Sequence, residues 1–449
     1  MMIIHNNKIF TFCTLHSDGV ELMHHNKIAI YLATCFISLS SVHAANISDD
    51  GSFQLNGYGM VAGDFQSELK RPKNMSLHTD PTGPNQDPRG KMGDLGNSFW
   101  HDYFTALAIT KKWQGVGAPE QWADYTYQMV GYGDKSIETA QNFGRFGGLS
   151  FLPKDSTIWA GRRYLDERLS IFAYNTKEIH VDSGVGYSGK DLDLTVGTAQ
   201  IDWSSASAPQ AIEGSRRIFD IAYRVGPTEW GATYVKELDN PLNTGVQKAM
   251  SFSGKYNLSS FMGIAEGRSS LKFQYGKGVI AQYLNTSRIS VLSEEGDSAL
   301  RLTVDGSLNM FDDFAVTPAF IYEYTQRDKS AARTTLISDT SYVGGNTIYG
   351  SGNETGIFAG VSVKQNLHHQ NLSMLYEAVI NNTTNKNGVI GADGTAYKIA
   401  IGPAIQLDVM PYAAPIASLT LTYAGGDRAV TLLPTDSEWR LGYRLEVWF

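Results

Sequence analysis

The sequence predicts an all-β protein, a transmembrane antiparallel β-barrel, on three observations. Apolar and polar residues alternate with a period of two, an N-terminal segment resembles an export signal, and the chain ends in an apolar strand whose last residue is Phe449. A period of two is typical of strands whose two faces meet different environments. No stretch after residue 44 approaches the roughly 18 consecutive apolar residues of a transmembrane helix.

Residues 1–44 have the pattern of a signal peptide. A basic stretch from Met23 to Lys27 precedes an apolar run from Ile28 to Leu39, and small residues precede a predicted cleavage after Ala44. The alternative, an N-terminal anchor helix, is disfavoured because the apolar run is shorter than the roughly 20 residues that span a bilayer. Residues 1–22 have no export features, so we predict that translation starts at Met23 and that residues 1–22 are a spurious extension.

Composition excludes several functions. Both cysteines, Cys13 and Cys35, lie in the signal region, so the exported part has no thiol, which suits an oxidising compartment. Charged residues make up only 18 % of the chain. A net charge of −8 with scattered basic residues argues against a nucleic-acid partner.

Alternation is clearest in two segments. From Ser52 to Phe65 and from Leu300 to Asn309, one set of alternate positions is apolar and the other is mostly polar. Both a soluble β-sandwich and a membrane barrel have strands of this kind.

The C-terminal strand, from Glu438 to Phe449, favours the barrel. Its odd positions are apolar with aromatic residues at both ends, as a lipid-facing band between aromatic girdles requires. Four long polar segments resemble extracellular loops, and these are Pro72–Gly93, Asp239–Lys248, Ser338–Thr355 and Asn381–Gly394. We therefore predict one barrel domain over residues 45–449, in contact with outer-membrane lipid and long enough for about sixteen to eighteen strands.

Catalytic signatures are absent from the sequence. It has no nucleophile elbow, zinc-protease motif, phosphate-binding loop or paired cysteines. The adjacent pair His368 and His369 would point to opposite faces of a strand, so a shared metal site is not expected. We predict no enzyme activity and no cofactor, although an outer-membrane enzyme or adhesin stays an alternative.

Two aromatic residues have the parity of the lumen face. If the odd positions of the first strand face lipid, Tyr58 faces the channel, and by the same parity Trp448 does so beside Arg444 and Glu446. Aromatic faces stack on the C–H faces of sugars, while charged neighbours bind hydroxyl groups. The alternative is that these rings pack against an infolded loop.

Several stretches resemble the maltoporin family. The most specific is Phe151–Tyr164, above all Ser156–Gly161, and the start at Asn56-Gly57-Tyr58, the segment Pro415–Asp427 and the end at Glu446–Phe449 also match. The resemblance implies an eighteen-stranded homotrimeric porin for carbohydrates in the bacterial outer membrane.

The family guides sugars along aromatic residues that line the lumen. Carried over by motif, the sugar-binding positions are Tyr58, Tyr103, Tyr412 and Trp448. The polar lumen residues expected beside them are Arg440, Arg444 and Glu446. The residues expected at the constriction loop are Asp166, Glu167 and Arg168.

The sequence also departs from the family. Met60 stands where the family has a lumen arginine, Asp94 where a second is expected and Thr105 where a glutamate belongs. The acidic, histidine and tyrosine positions of the constriction fall near Leu169, Ile171 and Thr176. We therefore expect passive, sugar-preferring diffusion into the periplasm, with sucrose or raffinose-type oligosaccharides favoured over maltodextrins. The alternative is a general diffusion porin.

Overall fold

The computed structural model describes most of the region after residue 44. The described residues are 45–46, 52–64, 95, 103–132, 137–168, 175–202, 213–239, 248–279, 281, 284–287, 295–311, 313–328, 331–334, 346–349, 352–367, 371–385, 394–406, 416–427 and 437–448. Among them no helix is long and apolar enough to cross a bilayer.

The described chain is built from antiparallel strands joined in sequence order. They are β1 (Ala45–Asn46), β2 (Phe53–Asp64), β3 (Tyr103–Gln114), β4 (Trp122–Tyr132), β5 (Glu138–Gly147), β6 (Thr157–Arg168), β7 (Asn175–Ser188), β8 (Leu192–Asp202), β9 (Glu213–Val225), β10 (Thr228–Asp239), β11 (Lys248–Leu258), β12 (Gly267–Lys277), β13 (Ser298–Phe311), β14 (Phe314–Arg327), β15 (Ala331–Thr334), β16 (Asn346–Tyr349), β17 (Gly352–Asn366), β18 (Leu372–Asn385), β19 (Gly394–Gln406), β20 (Ile416–Gly426) and β21 (Ser437–Trp448).

The sheet closes on itself because its first and last long strands pair. β2 and β21 are antiparallel, from Tyr58 opposite Trp448 to Asp64 opposite Gly442. The sheet has 19 strands, of which β1 is a short addition to β2, and the remaining eighteen strands form the barrel. β15 and β16 form a separate hairpin. The predicted fold class and strand number are confirmed.

Side-chain burial shows which face of the sheet is which. On β19, Ile399 and Ile401 are exposed on the outer face, while Lys398 and Ala400, which alternate with them, are buried. On β13, Leu302 is exposed and Arg301 is fully buried. This is the reverse of a soluble sandwich, because the apolar set faces outward to lipid and the polar set faces inward. In a closed wall, backbone groups bond to neighbouring strands because the bilayer offers no water to satisfy them.

Aromatic side chains mark both ends of the apolar band. At one end of β20 and β21, the rings of Tyr423 and Trp439 lie 4.7 Å apart. At the other end of the barrel, the rings of Trp230 and Phe252 lie 5.9 Å apart on β10 and β11. Such girdles are typical of the two membrane–water interfaces.

The two ends of the barrel differ in the length of their connections. At the end where β21 stops, β9 and β10 are joined by two residues, as in periplasmic turns. The four predicted loops all fall at the opposite end. Two of them are shorter than predicted, since β17 begins at Gly352 and β18 continues to Asn385. At these two loops, the strands and their backbone hydrogen bonds continue past the apolar band into polar sequence. Side-chain polarity therefore did not mark the strand ends.

Candidate functional site

The hairpin of β6 and β7 leaves the barrel wall and folds into the lumen. β5 pairs with β6 only as far as Asn142 opposite Arg162. β7 pairs with β8 only from Ser183 opposite Thr198, whereas β6 and β7 stay paired with each other as far as Arg168. The outer half of this hairpin, residues 163–168 and 175–182, therefore has no wall strand on either side. We call it the inner hairpin.

A glycine bulge is located where the hairpin departs. The register of β6 against β7 shifts between Gly161 and Arg163, and Gly161 has a φ of 129°. A Cβ atom there would collide with the carbonyl oxygen of Asn142 and lie 2.7 Å from the Cα of Phe143. Bulges re-aim strands, and this one needs glycine because the neighbouring atoms belong to the wall backbone.

One face of the inner hairpin packs against the wall. Ile179 and Val181 are fully buried and join an apolar cluster with residues of β8–β11, β13 and the segment between β12 and β13. The members from that segment are Val279, Ala281 and Leu284. The half of the lumen next to β8–β13 is thus filled by side chains, and we call it the closed half.

The segment between β12 and β13 is bonded directly to the inner hairpin. Glu178 N–H donates to the carbonyl of Asn285 at 3.1 Å, and Ser287 N–H donates to the carbonyl of Glu178 at 2.8 Å. Arg216 of the wall donates to the carbonyl of Ser287 at 2.9 Å, and Arg301 donates to that of Ala281. Hairpin and segment therefore form one partition within the lumen.

The opposite face of the inner hairpin is polar and solvent-accessible. The rings of Tyr164 and His180 stack with centroids 3.8 Å apart. His180 Nε2 lies 2.9 Å from Asp166 Oδ1, and Arg162 Nη2 donates to Tyr164 Oη at 3.1 Å. The side chains of Arg162 and Asp166 are 38 % and 36 % exposed, so this face lines the open half of the channel. No three metal-ligating side chains converge within the described residues.

An aromatic group faces this polar surface from the wall. Tyr58 and Phe104 have ring centroids 5.5 Å apart. Both pack, together with Tyr164, against a cluster of small buried residues. That cluster consists of Ala106, Val130 and Ala140. Three rings from β2, β3 and the inner hairpin thus share one patch of the lumen.

Tyr58 is tied to the predicted polar residues of β21. Its hydroxyl donates to Glu446 at 3.0 Å, and Glu446 also pairs with Arg444. Arg440 pairs with Glu438 at 2.6 Å and is largely buried. Arg444 and Glu446 therefore flank the aromatic patch. Arg440 lies nearer the start of β21, where it pairs with Glu438.

The other predicted aromatic positions are placed only in part. Trp448 is the register partner of Tyr58, but its side chain lies outside the described residues, as does all of Tyr412. Tyr103 is paired with Val61, whose side chain is 38 % exposed on the outer face. The aromatic residue beside Tyr58 is Phe104 rather than Tyr103, and the role of Tyr103 stays a prediction.

The residues predicted at the constriction lie on strands rather than in an irregular loop. β6 continues as far as Arg168, of which only the backbone is described. Asp166 faces the channel beside His180, whereas Glu167 faces the closed half and pairs with Lys255 and Lys272. Adjacent strand residues point to opposite faces, which the motif comparison did not take into account.

Phe104, Tyr164 and His180 were missed by sequence reasoning. A signal existed for the hairpin, because Arg162, Tyr164 and Asp166 alternate with other residues as a strand face does. The same is true of His180 and Asp182. Nothing in the sequence shows that this strand face turns into the lumen, since the turn depends on lost pairing with β5 and β8.

A second inward contact comes from the connection between β2 and β3. Leu95 N–H donates to both carboxylate oxygens of Glu377, at 3.1 and 3.2 Å. Lys398 donates to the carbonyl of Leu95 at 2.7 Å and pairs with Glu377 at 2.7 Å, with both side chains almost fully buried. Leu95 is therefore anchored to the inner wall at β18 and β19.

Comparisons with known proteins place the chain in a family. The sequence profile of the LamB porin family matches residues 99–449, well over half of the chain. No curated protein sequence matches it.

Solved porin structures are similar at low sequence identity. OprD from Pseudomonas aeruginosa has 10 % identity and a TM-score of 0.45, with 88 % of this chain and 91 % of that chain covered. OccD3 (OpdP) from Pseudomonas aeruginosa has 10 % identity and a TM-score of 0.46, with 89 % and 90 % covered. Salmonella typhi OmpF, solved in complex with daunomycin, has 11 % identity and a TM-score of 0.42, with 89 % and 98 % covered. On the profile match, the chain belongs to the LamB porin family, as a bacterial outer-membrane β-barrel that forms a diffusion channel.

Proposed function

We propose that this diffusion channel favours carbohydrates, which pass without energy input by making transient contacts at the constriction. The observation that carries the proposal is the patch formed by Tyr58, Phe104 and Tyr164. Aromatic rings in a water-filled channel offer apolar faces to the C–H faces of a sugar ring. The rings are flanked by Glu446 and Arg162, and charged groups form strong hydrogen bonds with hydroxyl groups.

Short oligosaccharides of the sucrose or raffinose type fit this patch better than maltodextrins. The three rings of the patch, Tyr58, Phe104 and Tyr164, pack on one small cluster. Met60, where the family has a lumen arginine, is almost fully buried and offers no hydrogen bond to a hydroxyl group. One compact patch with polar groups beside it suits a short ligand, because a long glucan chain needs repeated contacts.

A general diffusion porin is the second candidate. In a general porin, Tyr58 serves only to pack the wall. Its ring centroid lies 5.5 Å from that of Phe104, and its hydroxyl donates a hydrogen bond to Glu446. Rings that already have protein partners offer less surface to a solute. The two functions differ in whether a sugar occupies the channel long enough to reduce ion current.

Sugar-dependent block of current separates these functions. We expect the purified protein in planar bilayers to conduct ions, and sucrose or raffinose to reduce the current in a saturable way, with weaker block by maltotriose. Block that does not saturate for any of the three sugars would favour a general porin. Absence of any channel current would contradict a porin and favour an adhesin or an enzyme.

We also propose that the channel is a homotrimer, as the maltoporin resemblance implies. The outer face of β2–β6 supports this proposal because Gly59, Thr105 and Ala160 lie there. These side chains are small or polar, whereas Phe219 and Phe252 cover the outer face of β9 and β11. Small residues on the outer face let the wall of a neighbouring subunit approach closely.

Gly59→Trp is expected to convert the oligomer into monomers. A Cβ atom at Gly59 meets nothing within 4 Å in the chain itself, so the larger side chain would interfere only with a neighbouring subunit. Val196→Trp, on the exposed outer face of β8, is the matched control and should leave the trimer intact. Light scattering in detergent measures both masses, and a trimeric Gly59→Trp protein would show that this face is not the interface.

A further inference from the structure

Glu167 joins the inner hairpin to the far wall of the lumen through two lysines. One carboxylate oxygen pairs with Lys255 of β11 and the other with Lys272 of β12. Glu167 itself lies on β6, five strands from β11 along the wall. The ion pair therefore joins the inner hairpin to strands across the lumen, not two neighbouring strands of the wall. We call this three-residue contact the latch.

The latch is partly shielded from water. Lys272 has a side chain only 5 % exposed, and that of Glu167 is 27 % exposed. Lys272 also donates to the Thr176 hydroxyl at 3.1 Å, while Gln274 donates to the Thr176 carbonyl at 2.8 Å. Buried ion pairs are screened by salt much less than exposed ones. The latch is thus a built contact between the hairpin tip and two wall strands.

The two lysines depend on Glu167 for charge balance. Lys255 and Lys272 are register partners on adjacent strands, so their side chains lie side by side on one face. Two neighbouring cations in a poorly hydrated site repel each other unless an anion lies between them. Removing the carboxylate therefore favours hydration of the lysines and separation of the hairpin from the wall.

The position of the hairpin depends on side-chain contacts of this kind. The inner hairpin has no ladder hydrogen bonds to β5 or β8. Near its base it is bonded to residues 285–287, but at the tip the described polar contacts are the latch, Thr176 and the pair of Lys177 with Asp220 at 2.6 Å. An element that lacks wall pairing and is held at its tip by few polar contacts is sensitive to the loss of any one of them.

We propose that Glu167 is a positioning residue that sets the width of the channel. The latch holds the inner hairpin against β11 and β12, so that solutes pass only through the open half of the lumen. Without the latch, the hairpin tip moves and water and solutes reach the closed half. This role concerns size selection and does not depend on whether the channel binds sugars.

The test is the single-channel conductance and polymer exclusion of Glu167→Gln. We expect conductance to rise roughly twofold and larger polyethylene glycols to enter, because both follow pore diameter. Glu229→Gln is the matched control, since Glu229 pairs with Arg224 at 2.9 Å between neighbouring wall strands and does not touch the hairpin. Its conductance should equal that of the unsubstituted protein.

Lys255→Gln keeps the test decisive if Glu167→Gln does not fold. It leaves one lysine paired with one carboxylate, so a smaller rise in conductance is expected. Cysteines at positions 167 and 255, joined by a bifunctional thiol reagent, should restore the low conductance of the latched state. Unchanged conductance and polymer exclusion in folded Glu167→Gln, or in Lys255→Gln if the former does not fold, would overturn the proposal.

Discussion

Gly161→Val is expected to destabilise the barrel by about 3 kcal/mol, combining backbone strain with forced contacts. Gly161 has a φ of 129°, a region that a β-branched residue does not adopt without strain. The new side chain would also press on the backbone of Asn142 and Phe143. Because those atoms belong to the wall strand β5, the substituted hairpin cannot keep both its bulge and its place beside β5. The free energy of unfolding in urea, measured in lipid vesicles, checks this value.

Gly131→Val provides the control for this prediction. Gly131 is also a strand glycine, but a Cβ atom there meets only the side chain of Ile137, at 3.8 Å, and its φ is not positive. For the single chain, without its neighbouring subunits, we expect a change in unfolding free energy below about 1 kcal/mol, because ordinary contact with one side chain neither strains nor overpacks it. Equal stability of the two variants would show that the bulge at Gly161 is not a structural requirement.

The barrel could be predicted from the sequence because its signals are local. The alternation from Leu300 to Asn309 and the final strand ending at Phe449 each reflect the lipid on one side and water on the other. Neither depends on which strand lies beside which. The predicted strand segments accordingly coincide with strands of the barrel, and the predicted loops lie together at one end.

The partition of the lumen could not be predicted in the same way. It depends on contacts between residues far apart in the chain, such as Glu167 with Lys272, which are separated by 105 positions. Motif comparison placed Asp166 and Glu167 together at the constriction. Their side chains lie on opposite faces of the hairpin. Parity identifies the two faces of a strand but not what lies opposite each face.

Register also limits the sequence prediction of the aromatic residues. Tyr103 and Phe104 are adjacent, and choosing between them requires knowing that Tyr58 is opposite Ala106 on β3. That pairing gives Phe104 the inward parity of Ala106, because residues two apart share a face. The resemblance to maltoporins, with one inserted residue, favoured Tyr103 instead. A shift of one residue along a strand exchanges the lipid face for the lumen face, so the role of Tyr103 stays a prediction.

Tyr164→Ala is expected to weaken sugar-dependent current block by roughly 5- to 150-fold, equivalent to about 1–3 kcal/mol for one lost stacking contact. Tyr164 is central because it belongs to the aromatic patch with Tyr58 and Phe104 and also stacks on His180. Sugar titrations of ion current in planar bilayers measure the change. Conductance without sugar should change little, since the latch through Glu167 is on the other face of the hairpin.

Two further variants separate the ring of Tyr164 from its hydroxyl group. Tyr164→Phe removes the hydrogen bond from Arg162 but keeps the stacking surface, so most of the block should remain. Tyr125→Ala removes a tyrosine that is 43 % exposed on the outer face of β4 and should leave the block unchanged. A loss of block in Tyr164→Phe as large as in Tyr164→Ala would assign recognition to the hydroxyl group and its arginine. Unchanged block in Tyr164→Ala would remove the inner hairpin from sugar recognition, and would leave Tyr58 and Phe104 as the described rings able to contact a solute.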